Sequence, residues 1–247
     1  MRKIVNETDT QRPHYAGALT KPVLLVISEA SLSALKWIAV VLMVVDHINK
    51  FLLGDSQPWM YALGRMAMPL FAAVLGCNLA RANSLQSGAY QRMSIRLFLC
   101  ALLAWIPHAA LNKSLLWFWP MNILFTLLLA TISAWMLDAG GRWRLVGVIS
   151  LLLWGGLMVE FWWPAVGLVL FVWAYCRKPN IGFLIGWLAC LGALYFINGN
   201  HWALAVIPVL WGLSFWRWEL PRMRWFFYAF YPFHLWVIWA VVALWIP

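Results

Sequence analysis

Lys36, Asp46 and His47 stand in a stretch, Leu35 to Lys50, that is otherwise apolar enough to lie within a membrane. An ionisable side chain at that depth costs roughly 2.5–3.5 kcal/mol even on the lenient insertion scale, so it is expected to have a partner or to line a polar chamber. On a helix turning 100° per residue, Lys36 and His47 lie about 20° apart around the axis and roughly 16 Å apart along it, on one face. Asp46 points about 100° away from His47 and is expected to meet Lys50 or another helix rather than its neighbour. An imidazole with an unperturbed pKa of about 6.5 accepts and returns a proton at neutral pH, which makes His47 the candidate general base.

The elements that must hold these groups are membrane helices. The chain has 247 residues, of which 64% are hydrophobic and 11% charged, and it carries 20 Trp. That composition excludes a soluble domain and gives a polytopic, all-α membrane bundle. The net charge of +10 does not imply nucleic acid, because the basic residues sit in short gaps between apolar runs, where they set topology. Cys77, Cys100, Cys176 and Cys190 lie inside apolar runs without metal-type spacing and read as small buried hydrophobes. No metal is expected.

A helix needs about 20 residues to cross a bilayer. Nine candidate spans result, with eight to ten as the range: 34–54, 58–80, 93–112, 115–137, 143–161, 163–176, 181–197, 201–216 and 225–246. The fifth and sixth are divided only by Phe161 to Pro164, so a break is expected there. Arg2, Lys3, Arg12, Lys21, Lys36, Arg81, Arg92, Arg96, Arg142, Arg144, Arg177, Lys178, Arg217, Arg222 and Arg224 then fall on one side. Only Lys50 and Lys113 fall on the other, with Arg65 inside a span. The positive-inside rule puts the N-terminus in the cytoplasm and the C-terminus outside, which for a bacterial inner membrane would be the periplasm. Residues 1–33 read as a cytoplasmic tail whose segment 22–33 lies along the interface, and 34–247 as a single transmembrane domain. The first span, with no small-residue cleavage site after it, is expected to act as the targeting signal.

Orientation gives depth. His47, Arg65 and Asn122 fall at about the same level in the outer half of the membrane, with His108 and Glu160 also in the outer portions of their helices and His234 nearer the midplane. Five helices therefore offer polar groups to one level, as a site would require. Taken singly, His108 and His201 read as structural, while for Arg65 a structural pairing with Asp46 is the alternative to a role in the site. At the inner surface Lys36, Asn78 and Arg81 offer a site for a cytoplasmic anion, or serve only as anchors of topology.

Four blocks resemble one family: LKWIAVVLMVVDHINK at 35–50, GRMAMPLFAAVLGCNLAR at 64–81, NILF at 122–125 and FYPFHL at 230–235. They are similar to the TraX family of conjugative pilin acetylases. The basic residue and histidine of the first helix also resemble those of acyltransferase-3 membrane enzymes, which have Arg where this chain has Lys36. The resemblance implies transfer of acetyl from cytoplasmic acetyl-CoA, a co-substrate, to the N-terminal amine of a pilin subunit in the inner membrane. It points to Lys36, Asp46, His47, Arg65, Asn78, Arg81, Asn122, Tyr231 and His234, and leaves Glu160 unassigned.

Those roles combine into one scheme. CoA is expected near Lys36, Asn78 and Arg81, its pantetheine arm reaching toward His47, with the acceptor arriving from outside. His47 is the base, Asp46 or His234 orients or relays, and Arg65 with Asn122 meets the oxyanion. Two rival readings use the same residues: a proton-coupled transporter with Asp46, His47, Arg65 and His234 as its relay, or a non-catalytic pilus assembly protein.

Overall fold

In an apolar medium a backbone finds hydrogen-bond partners only in itself, so long Leu, Val, Ala and Trp runs close as helices. The structure, a computed structural model, describes residues 28–113, 119–215, 223 and 225–245. Its elements are α1 Glu29–Leu52, α2 Pro58–Gly64, α3 Ala67–Leu79, α4 Ala89–Leu111, α5 Ile123–Ala139 and α6 Arg142–Met158. There follow α7 Trp162–Arg177, α8 Ile181–Ala193, α9 Tyr195–Asn198, a 3-10 turn Trp202–Ala205, α10 Val206–Ser214 and α11 Phe226–Trp245. Among the described residues the only strand-like pairing is the isolated bridge of Met121 to Val159.

Taking α2 with α3, α8 with α9 and the 3-10 turn with α10 leaves about nine rods, in the order the hydropathy predicts. The stretches Glu29–Leu52, Pro58–Leu79, Ala89–Leu111, Ile181–Asn198 and Phe226–Leu244 are each long and apolar enough to cross a membrane. Ile123–Ala139 and Trp202–Ser214 are apolar but shorter. Large apolar side chains such as Trp143, Trp154, Ile181, Phe196 and Leu244 stand exposed on the outer walls. Exposed apolar surface of this extent is what lipid covers.

The structure departs from the sequence reading in three places. The segment expected along the interface is, from Glu29 on, the first turn of α1: Ser28 caps it by accepting from the Ser31 N–H at 3.1 Å, with Glu29 placed against the helix dipole. Residues 22–27 lie outside the described part. The span expected at 58–80 breaks at Arg65 and Met66, because Pro69 has no N–H to give and fits only in the first turn of a new helix. The fourth rod starts at Asn122, and residues 114–118 before it lie outside the described part. The expected break at Phe161 is present: Phe161 and Trp162 take left-handed φ of 61° and 49°, turning the chain from α6 into α7.

Side-chain bonds tie the rod ends together and show their alternation. At one end, which carries most of the described basic residues, Arg81 pairs with Glu29, Asp138 holds both Arg177 and the Tyr90 hydroxyl, and Arg96 lies over the Trp225 ring. At the opposite end Lys50 donates to Asn112 at 2.7 Å and the Tyr61 hydroxyl to the Asn198 carbonyl at 2.9 Å. Helix α3 runs through the middle, its Ala72, Ala73 and Gly76 buried. A Cβ at Gly76 would stand 2.8 Å from the Val169 carbonyl and from the Val172 side chain, so only glycine lets α3 and α7 approach this closely.

Candidate active site

Helix α1 presents Glu29, Ser33, Lys36, Val40, Met43, His47 and Lys50 at intervals of three to four residues, one stripe along its length. All of them line a single cavity of about 710 Å³. From Glu29 to Lys50 that stripe runs roughly 31 Å, the length of a membrane-crossing helix. The facing wall comes from α3, with Met68, Phe71, Val74, Leu75 and Asn78, and from the N-terminal turns of α4 and α5 and the first half of α11.

At the Lys50 end stand two side-chain pairs. His234 Nδ1 is 3.0 Å from the Phe230 carbonyl oxygen. A carbonyl only accepts, so His234 holds its proton on Nδ1 and offers the lone pair of Nε2. That nitrogen is 2.7 Å from His47 Nδ1, which must then be the donor. His47 Nε2 is left with its lone pair, so the hydrogen-bond chain itself assigns the tautomer a base requires. Phe230 lies parallel to the His234 ring at 5.4 Å, and Tyr231 stands edge-on to His47 at 6.4 Å.

The second pair is Asp46 with Arg65. Because Asp46 points away from His47 around α1, it meets the guanidinium at the α2–α3 break. Arg65 also reaches Asn198 Oδ1 at 3.4 Å and lies over the Tyr61 ring at 4.3 Å. Its Nε–H has no partner among the described residues. Five donors with two committed leave the guanidinium able to meet a developing negative charge. Gly64 makes the pair possible, since a Cβ there would collide with the Asp46 carboxylate. Gly64→Ala is expected to separate Asp46 from Arg65 and cost about 3 kcal/mol, the scale for breaking a buried ion pair. A clear fall in the midpoint of thermal unfolding in detergent checks this.

The Glu29 end carries different chemistry. Lys36, Arg81, Arg92 and Arg96 line it with Asn78. Glu29 offsets one of these charges by accepting from Arg81 Nη2 at 2.7 and 2.8 Å. Aromatic planes interleave the cations: Lys36 is 5.9 Å from the Phe227 ring centre, and Arg96 is 4.5 Å from that of Trp225 and 6.0 Å from that of Tyr228. Positive charge beside flat apolar faces suits a ligand that is both anionic and aromatic.

Of the residues singled out in the sequence, Lys36, Asp46, His47, Arg65, Asn78, Arg81 and Tyr231 all line this cavity. His234 is not among the lining residues and meets the cavity only through its bond to His47. Asn122 does not line the cavity. Its Oδ1 caps α5 by accepting from the Leu124 N–H at 3.1 Å, and its Nδ2 donates to the Ala101 carbonyl at 3.0 Å. With its Oδ1 and one Nδ2 hydrogen committed in a 2% exposed side chain outside the cavity lining, Asn122 has the geometry of a helix cap. Arg92 and Arg96 line the cavity as well; in the sequence the positive-inside rule alone accounts for them, and their i, i+4 spacing, which places both on one face, is the signal that they share a wall. Glu160, left unassigned, lines the cavity at the Lys50 end, and buried His108 stands 3.9 Å from its carboxylate. His201 stacks on Tyr195 at 4.6 Å, in keeping with a structural role.

A multi-pass helical membrane protein, with a His–His pair and an Asp–Arg pair facing one long cavity, is the class that fold and site define. The chain belongs to the TraX family, whose model, described as TraX protein, matches residues 31–242. It is 34% identical over 259 residues to Protein TraX of Escherichia coli, covering 97% of this chain and 99% of that relative. It is 46% identical over 70 residues, 28% of each chain, to Protein TraX of Escherichia coli strain K12. No solved structure matches.

Proposed function

We propose that the protein is an inner-membrane acetyltransferase of conjugation systems that moves acetyl from acetyl-CoA to the N-terminal amine of a pilin subunit. The observation that carries this reading is one cavity joining the cationic, aromatic end at Lys36, Arg81 and Arg96 to His47 and Arg65 at the other. Acetyl-CoA is a cytoplasmic nucleotide thioester, and the positive-inside rule assigns the basic end to the cytoplasm. A processed pilin exposes its N-terminus on the opposite side of the inner membrane. A transferase joining the two needs a passage through the bilayer with its chemistry near the outer end.

In this reading Lys36, Arg81, Arg92 and Arg96 hold the phosphates, and Phe227 and Tyr228 flank the adenine. Met43, Val40 and Leu75 line an apolar channel for the pantetheine arm over the roughly 16 Å from Lys36 to His47. The amine attacks the thioester carbonyl carbon, Arg65 faces the oxygen as it becomes negative, and the C–S bond breaks. His47 Nε2 takes a proton from the attacking nitrogen and returns it to the sulfur. His234 supports the imidazolium, because its Nε2 accepts from His47 and its own proton is anchored on the Phe230 carbonyl. The test is the intact mass of the cognate pilin from cells with and without this protein. A difference of one acetyl group is expected, and identical masses would overturn the reading.

A further inference from the structure

An N-terminal amine, with a pKa of about 8, arrives mostly as ammonium at neutral pH and must lose one proton before it attacks and another after the C–N bond forms. His47 has one free nitrogen, since Nδ1 is held by His234, so it manages one proton at a time. The first proton needs another acceptor. Resting on the acetyl-transfer reading, we propose that Glu160 receives the acceptor: its carboxylate binds the incoming ammonium, takes the first proton and releases it to solvent at that end of the cavity.

Glu160 lines the same cavity as His47 and Arg65. Its backbone is pinned on both sides: its N–H donates to the Met121 carbonyl at 2.9 Å, and its carbonyl accepts from Thr126 Oγ1 at 2.8 Å. The side chain therefore projects from a fixed point on the α6–α7 link. Asp46, on the same chamber, is neutralised by Arg65. Asp55 also lines the cavity but stands exposed at its rim, where its carboxylate accepts from Asn49 Nδ2 at 3.5 Å. The nearest basic group to Glu160 is His108 of α4, with Nε2 at 3.9 Å, a looser approach than the charged pairs elsewhere in the protein. The other ionisable groups on its chamber are His47 and Lys50 of α1, the paired Asp46 and Arg65, Tyr61 of α2 and Tyr231 of α11; α5 contributes the apolar Ile123 and Leu124.

The protons balance. The bound ammonium passes one proton to the Glu160 carboxylate, which leaves a neutral amine and a carboxylic acid. The amine forms the C–N bond, His47 carries the second proton to the departing sulfur, and the products are the amide, CoA thiol and one proton shed from Glu160.

The test uses purified full-length protein in proteoliposomes with labelled acetyl-CoA and the cognate pilin. Glu160→Gln is expected to raise the KM for pilin about tenfold or more at about pH 7 and leave that for acetyl-CoA unchanged. Its rate should recover as the pH rises toward about 9, where the amine loses its proton unaided. Glu160→Asp should keep the wild-type pH profile. A Gln variant with wild-type pilin KM and pH profile would overturn the proposal, as would a loss that high pH does not restore although acetyl-CoA still binds. Failure of the wild-type protein to acetylate pilin at any pH would instead overturn the transfer reading, and this proposal with it.

Discussion

Replacing His47 with alanine is expected to lower the rate of acetyl transfer by about 10²–10⁴-fold, the usual contribution of a positioned acid–base group. Acetyl-CoA should still bind, because the cations that hold it lie roughly 16 Å or more away along α1. The argument rests on the tautomer chain. The Phe230 carbonyl fixes His234, which fixes His47 with its Nε2 lone pair available. Removing His234 leaves that nitrogen present but unoriented, so His234→Ala should cost less, about 10–100-fold. Single-turnover rates with labelled acetyl-CoA measure both. Wild-type transfer by the His47 variant would show that the base lies elsewhere.

Arg65→Gln should produce two effects with separable origins. Loss of an oxyanion donor is worth about 10²–10³ in kcat. The substitution also leaves the Asp46 carboxylate buried without its counter-charge, a penalty of about 3–5 kcal/mol in stability. Adding Asp46→Asn should relieve the second effect and not the first: the double variant is expected to recover most of the lost thermal midpoint while its kcat stays low. If kcat recovers with stability, Arg65 serves only to hold the bundle, as its pairing with Asp46 would allow.

Much of this site was legible in the sequence because helix geometry is regular. The stripe joining Lys36 to His47 follows from 100° per residue, and the same arithmetic turned Asp46 away from His47 toward another helix. The common depth of His47 and Arg65 followed from alternating spans. The partners across helices did not follow: nothing local links His47 to His234, and their hydrogen bond exists only because α11 packs on α1. The capping geometry of Asn122 had its signal in the sequence, since an Asn before an apolar run is an N-cap pattern and capping uses the side chain locally. Arg92 and Arg96 were hidden by a sufficient simpler explanation, as one rule about charge and topology covers every arginine at that end of the bundle. The break at Arg65 had its mark in Gly64 and Pro69, which flank it.

The most direct test of the passage between the two ends is a sided assay in vesicles of uniform orientation. Labelled acetyl-CoA is confined to the side of Arg81 and Arg96, and the pilin N-terminus is presented only on the side of Glu160. Label appearing on the pilin, and its absence when acetyl-CoA is moved to the Glu160 side, is the predicted result. Transfer that proceeds only with donor and acceptor on one side, or no transfer in either arrangement, would contradict it.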